Sequence, residues 1–196
     1  MSAILELDIV LKGSKPKIWR RVWVPETMTF HKLHYVIQFA MEWENCHLYR
    51  FIKGRFVHVV GIPHPDEFDR MEDSRKLPIS AILVAPKDNI NYIYDFGDRW
   101  EHTVTVKKIL PPDPGQTYPW LVGGAKAAPP EDCGGIWSYA GILETLKDKS
   151  SKQYKELVEW LGDEFDPEFF DKHALNTECF EHFEEEIAAE DRYMGY

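Results

Sequence analysis

Apolar and polar residues alternate from Ile4 to Leu11: Leu5, Leu7, Ile9 and Leu11 share one face, and Glu6 and Asp8 take the other. That period of two predicts a strand with one buried face. Gly13-Ser14-Lys15-Pro16 is turn chemistry, and residues 17–24 predict a second strand stopped by Pro25, so the two form a hairpin. The period then changes. Phe30, Leu33, Ile37, Ala40 and Met41 recur at helical spacing, which predicts a helix over 30–43 with Thr29 as its cap. Residues 47–52 and 55–60 predict a second hairpin around Lys53-Gly54, and the polar stretch 61–76 predicts a surface excursion. Residues 79–84 fit either a short helix or a strand. Residues 90–95 and 99–109 predict two strands flanking a tight turn, with Trp100, His102, Val104 and Val106 on the apolar face of the second.

Beyond this hairpin the pattern breaks. Residues 111–135 hold six Pro and five Gly without periodicity, which predicts a long connecting loop anchored by Tyr118, Trp120 and Leu121. Trp137 to Lys147 predicts a helix. Ser150-x-x-Gln153 is a capping box for another, carrying Tyr154, Leu157, Val158 and Leu161 and closed by Gly162. Asp166-Pro167 predicts a further helix start, and Asn176 the cap of a last helix with Phe180, Phe183 and Ile187 inward. The order predicts an α+β fold: a mixed, largely antiparallel sheet (a ββαββ roll plus a further hairpin) with a C-terminal helical extension. It reads as one domain over 1–196, with a sheet-forming core at 1–110, a Pro/Gly loop at 111–135 and a helical part with an acidic tail at 136–196.

Composition adds three constraints. A 44% hydrophobic chain with 14% aromatic residues can build a core, which argues against disorder. Without a membrane-length apolar run or an apolar signal core, a soluble, cytoplasmic protein with no membrane partner is expected. Cys46, Cys133 and Cys179 are too few and too far apart for a disulfide framework or a zinc knuckle. The net charge of −10 is uneven: Glu156 to Tyr196 carries 14 acidic residues against Lys172 and Arg192. The compact basic cluster Lys12, Lys15, Lys17, Arg20 and Arg21 reads as a solvated hairpin edge that blocks sheet extension.

Candidate chemistry concentrates at Tyr94-Asp95-Phe96-Gly97-Asp98-Arg99-Trp100-Glu101-His102. One reading is turn chemistry, with Asp carboxylates accepting from turn amides and Gly97 at positive φ. The other is a divalent-metal site using Asp95, Asp98, His102 and His47, joined in the wider cleft by His34. Pro129-Pro130-Glu131-Asp132-Cys133-Gly134-Gly135 would bring Glu131, Asp132 and Cys133 over the turn, with Glu131 as a general base and Cys133 as a nucleophile lowered by a helix amino terminus. Trp19, Trp23, Trp43, Trp100, Trp120 and Trp137 would line a groove or pack the core. The candidate ligand-binding cleft therefore comprises Trp19, Arg20, His34, Trp43, His47, Tyr94, Asp95, Asp98, Trp100, His102, Glu131, Asp132 and Cys133. The letters Asp-Phe-Gly also occur in kinases, but no glycine-rich phosphate loop accompanies them.

In order along the chain, Ile18-Trp19-Arg20-Arg21-Val22, Val24-Pro25, Leu33-His34, Trp43, His47-Leu48, the stretch 94–102, Pro129 to Gly135, Phe165 to Phe170 and Asn176 resemble the plasmid pRiA4b ORF-3-like family. The resemblance implies an association with plasmids and mobile elements, and some members carry a transposon-resolvase label. The residues do not follow that label: the serines sit in turns or caps and the arginines are scattered. The expected function is a binding or adaptor domain whose cleft takes a protein segment or a nucleic-acid end. A metal-dependent hydrolase around the Asp/His cluster is the competing reading. A third reading has the acidic tail docking a basic partner.

Overall fold

The N-terminal hairpin forms as the alternation predicts. β1 (Ile4–Leu11) pairs with β2 (Trp19–Pro25) in antiparallel register. The computed structural model describes residues 2–55, 57–63, 71–162 and 165–194. The remaining strands are β3 (Tyr49–Lys53), β4 (His58–Gly61), β5 (Glu72–Asp73), β6 (Asn89–Tyr94), β7 (Trp100–Leu110) and β8 (Trp120–Ala125). They form one eight-stranded sheet in the order β5-β4-β3-β6-β7-β1-β2-β8, antiparallel except at β4–β5. The helices are α1 (Phe30–Met41), α2 (Gly135–Thr145), α3 (Lys152–Leu161), α4 (Lys172–Leu175) and α5 (Phe183–Met194). This is the expected α+β architecture. Among the described residues no helix is long and apolar enough to cross a membrane. Phe56 and residues 64–70, parts of the expected second hairpin and excursion, lie outside the described residues.

α1 starts where its sequence says it should. Thr29 caps it by accepting from the Lys32 amide, a bond worth about 1 kcal/mol. Its burial exceeds that of an amphipathic surface helix: every residue but Lys32 is buried. The reason lies in the C-terminal extension, which covers the side turned away from the sheet. Phe39 meets Phe180 and Phe183, Tyr35 donates to Asp191, and Lys32 pairs with Glu184. A helix with few charges on any face needs such a second cover, because each large apolar side chain removed from water contributes about 1.5–3 kcal/mol.

Four local expectations change. Trp120–Ala125, read as loop, is the edge strand β8 against β2. Gly123 and Gly124 remove the alternation that would have marked it, and a Cβ at Gly124 would stand 2.8 Å from the Trp19 carbonyl oxygen. The cap of α3 is Ser151, which accepts from the Tyr154 amide, because Ser150 is bound to Asp148. Asp166-Pro167 opens a turn, since the Pro167 carbonyl accepts from Ala127, and it is Asp171 that caps α4. Asn176 does not open the last helix: its buried side chain accepts from the Leu121 amide and donates to the Leu121 carbonyl, giving β8 the partner a further strand would supply.

Arg20 shows how the sheet holds α1 from below. It is fully buried, and its Nε donates to the Ala40 carbonyl at 2.6 Å, in the last turn of the helix. Those terminal carbonyls have no intrahelical donor and carry the negative end of the helix dipole. Burial lowers the guanidinium pKa to about 10, so it stays charged at neutral pH. Phe170 stacks on its outer side, 4.4 Å from centroid to Cζ.

A candidate metal centre at the rim of the sheet

β6 ends at Tyr94 and β7 begins at Trp100, and Asp95 turns the chain between them. Asp95 takes a left-handed conformation (φ +54°), as does Arg99 (φ +55°), while Gly97 does not. The expected role of Gly97 thus falls to Asp95, a residue type that tolerates this region. The Asp95 carbonyl accepts from the Arg99 amide at 2.7 Å, and its Oδ1 accepts from the Gly97 amide at 2.8 Å. Oδ2 is left facing His47, whose Nε2 lies 3.9 Å away. Asp132 completes the group: its Oδ1 is 3.0 Å from the same His47 nitrogen. One ligand atom from each of His47, Asp95 and Asp132 falls within 4.8 Å of the others. Two donors about 2.0–2.2 Å from one ion, at roughly right or tetrahedral angles, stand about 2.8–3.6 Å apart. The His47–Asp132 spacing falls inside that range, and Asp95 stands a few tenths of an ångström beyond it from His47.

The loop bearing Asp132 is clamped at several points. Trp43 stacks on Tyr94 with ring centroids 5.1 Å apart and donates from Nε1 to the Pro129 carbonyl. Tyr94 donates to Glu131 Oε1 at 2.5 Å, while the Glu44 amide donates to Oε2 at 2.6 Å. Asp98 accepts from the Gly134 amide at 2.9 Å. Gly135 (φ +77°) passes so close to the turn that a Cβ would run into the Asp98 carbonyl. Glu131 and Asp98, two of the predicted acidic groups, therefore hold the loop against the turn. Beside them lies a cleft of ≈ 590 Å³ whose lining includes Trp43, Glu44, Cys46, Pro129, Glu131 and Asp132. The field there is negative: the Cys46 thiol pKa is raised by burial first, then by Glu131, Glu44, Asp132 and Glu190.

The other predicted residues lie elsewhere. His34, on the buried face of α1, is 1% exposed and stacks face to face on Tyr49 at 3.6 Å. Asn45 Nδ2 donates to Glu190, so its Oδ1 accepts from His34 Nε2 at 2.7 Å. His34 Nδ1 then accepts from the Tyr92 hydroxyl at 2.8 Å, and Tyr92 accepts from Gln38 Nε2 at 2.9 Å. His102 is fully buried between Trp43 and Tyr92, with Nδ1 toward the Trp100 carbonyl. Burial lowers both pKa values to about 3, so both rings are neutral. Trp100 is buried, and Trp19 lies on the sheet face opposite Arg20. Cys133 is buried too, and burial raises its thiol to about 11, the reverse of an activated nucleophile. Sequence reasoning placed Asp132 over the turn without assigning it to the metal set, because nothing local to residues 129–135 sets its register against His47.

The fold and the rim define an α+β domain in which one open sheet packs against a buried helix and presents an imidazole–carboxylate cluster at the β6–β7 end. The chain belongs to the plasmid pRiA4b ORF-3-like family, whose model matches residues 3–174. It is similar to the uncharacterized protein y4hQ of Sinorhizobium fredii, 36% identical over 163 residues, covering 83% of this chain and 82% of that one. It is also similar to the crystal structure of MM3350, a protein of unknown function from Methanosarcina mazei Go1. That match has a TM-score of 0.79 and 40% identity, and covers 88% of this chain and 97% of the other.

Proposed function

We propose that this protein is a metal-dependent binding module: His47, Asp95 and Asp132 hold a divalent cation at the rim of the cleft beside Trp43 and Pro129. The observation that carries this is the convergence of one imidazole nitrogen and two carboxylate oxygens from three separate segments. The donor set suits zinc, manganese or ferrous iron. Three protein ligands leave positions open, through which the ion takes a donor group from a partner lying in the cleft. The cleft lining carries Glu42, Glu44, Glu131, Asp132 and Asp166 and, among the described residues, no basic side chain. That favours a protein segment over a nucleic-acid end, whose phosphates these carboxylates repel. Open coordination positions also favour the hydrolase reading, but Glu131, the group suited to act as base, already accepts from Tyr94 and Glu44.

Isothermal titration of the metal-stripped protein with Zn²⁺ and Mn²⁺ tests the proposal. One equivalent should bind. Asp95→Asn, which keeps the Gly97 hydrogen bond and its left-handed backbone, should weaken binding without unfolding the chain. Equal affinity in wild type, Asp95→Asn and His47→Ala would remove the centre.

A further inference from the structure

A second cleft, of ≈ 790 Å³, opens between α2, α3 and the β1–β2 turn; it meets the rim cleft at Phe165 and Asp166, and its described lining includes none of His47, Asp95 and Asp132. Its volume lies in the range of small-molecule sites, about 300–1,000 Å³. Ile18, Leu143 and Phe165 give it an apolar wall. Tyr139 also lines it, is 2% exposed, and makes no hydrogen bond from its hydroxyl to any described residue. The hydroxyl is therefore open to the cleft and free to donate to a ligand acceptor there. Four lysines against Glu144, Asp166 and Glu168 leave the lining one positive charge in excess, which favours an anion. Lys126 and Lys147 are paired with Glu168 and Glu144, and Asp166 accepts from the Glu168 amide, whereas Lys15 and Lys149 form no ion pair among the described residues.

We propose that this cleft binds a small amphipathic carboxylate, with its apolar body against Ile18, Leu143 and Phe165 and its carboxylate accepting from the Tyr139 hydroxyl. Lys15 and Lys149 supply the attracting field. Burial raises the Tyr139 phenol to about 12, so it keeps its proton and donates at neutral pH. The proposal is independent of the metal centre, and either can fail alone.

Titration calorimetry of the full chain with decanoate, decanol and decyltrimethylammonium, three probes of one chain length, tests it. Decanoate should bind most tightly and the cation least. Tyr139→Phe keeps the ring and should weaken decanoate about tenfold, leaving decanol unchanged. Lys149→Gln, at an exposed position, should weaken decanoate alone. Ala140→Trp, an exposed lining residue of α2, should block both decanoate and decanol. Absence of decanoate binding, equal binding of the three probes, or affinity unchanged in Tyr139→Phe and Ala140→Trp overturns the proposal.

Discussion

On the buried face of α1, His34 sits between Tyr92 and Asn45 with both ring nitrogens bonded and no access to water. At the rim, His47 shares a single nitrogen between two carboxylates and is half-buried. The residue type is the same, and burial separates the outcomes. In the interior a charged imidazole is costly, so the ring is neutral and its bonds serve packing. At the edge, carboxylate lone pairs remain unspent and a cation can use them. The contrast teaches that proximity in sequence to the 94–102 turn does not make a histidine part of the rim: His102 belongs to that stretch and points into the core.

The largest expected break in this contrast comes from the interior. His34→Ala removes two hydrogen bonds, one of them fully buried, and a stacked ring, and should cost about 3 kcal/mol in chemical denaturation while leaving metal affinity unchanged. The same interior sets the acid response. With folded pKa values near 3 for His34 and His102 against about 6.5 in the unfolded chain, the unfolded state binds more protons between those limits. Stability is therefore full above about pH 6.5 and falls as pH drops toward 3. His102→Gln should flatten that slope, read from denaturation midpoints across pH 3–7.

At the rim the order reverses. His47→Ala should reduce metal affinity at least about 100-fold, yet shift unfolding by no more than about 0.5 kcal/mol, as removal of a half-exposed side chain does. Tyr94→Phe sharpens the boundary between the regions, because Tyr94 stacks on Trp43 inside and holds Glu131 outside. It should cost about 1 kcal/mol and lower metal affinity about tenfold, since Asp132 loses the support of its neighbour. Asp98→Asn keeps an oxygen for the Gly134 amide. Its effect should be smallest, about 0.5 kcal/mol or less in unfolding, with metal affinity intact.

Much of this was legible in the sequence. Alternation marked β1 and β7, and helical spacing with Thr29 marked α1. What escaped notice had no local signal. β8 hid because two glycines have no side chains to alternate. Asn176 looked like a cap because asparagine often is one, whereas its partner Leu121 lies 55 positions away. The turn was marked as chemistry-bearing, but which of its acids faces His47 depends on the αL backbone at Asp95 and on a loop arriving from residue 129. Tertiary register of that kind is absent from any window of the sequence.

At the rim centre one imidazole alone should take the ion. Side-chain nitrogen NMR of all eight histidines, followed through a Zn²⁺ titration, reads this out. The His47 Nε2 resonance should move and saturate at one equivalent while those of His34 and His102 stay fixed. A response at His34 or His102, or no response at His47, contradicts this assignment.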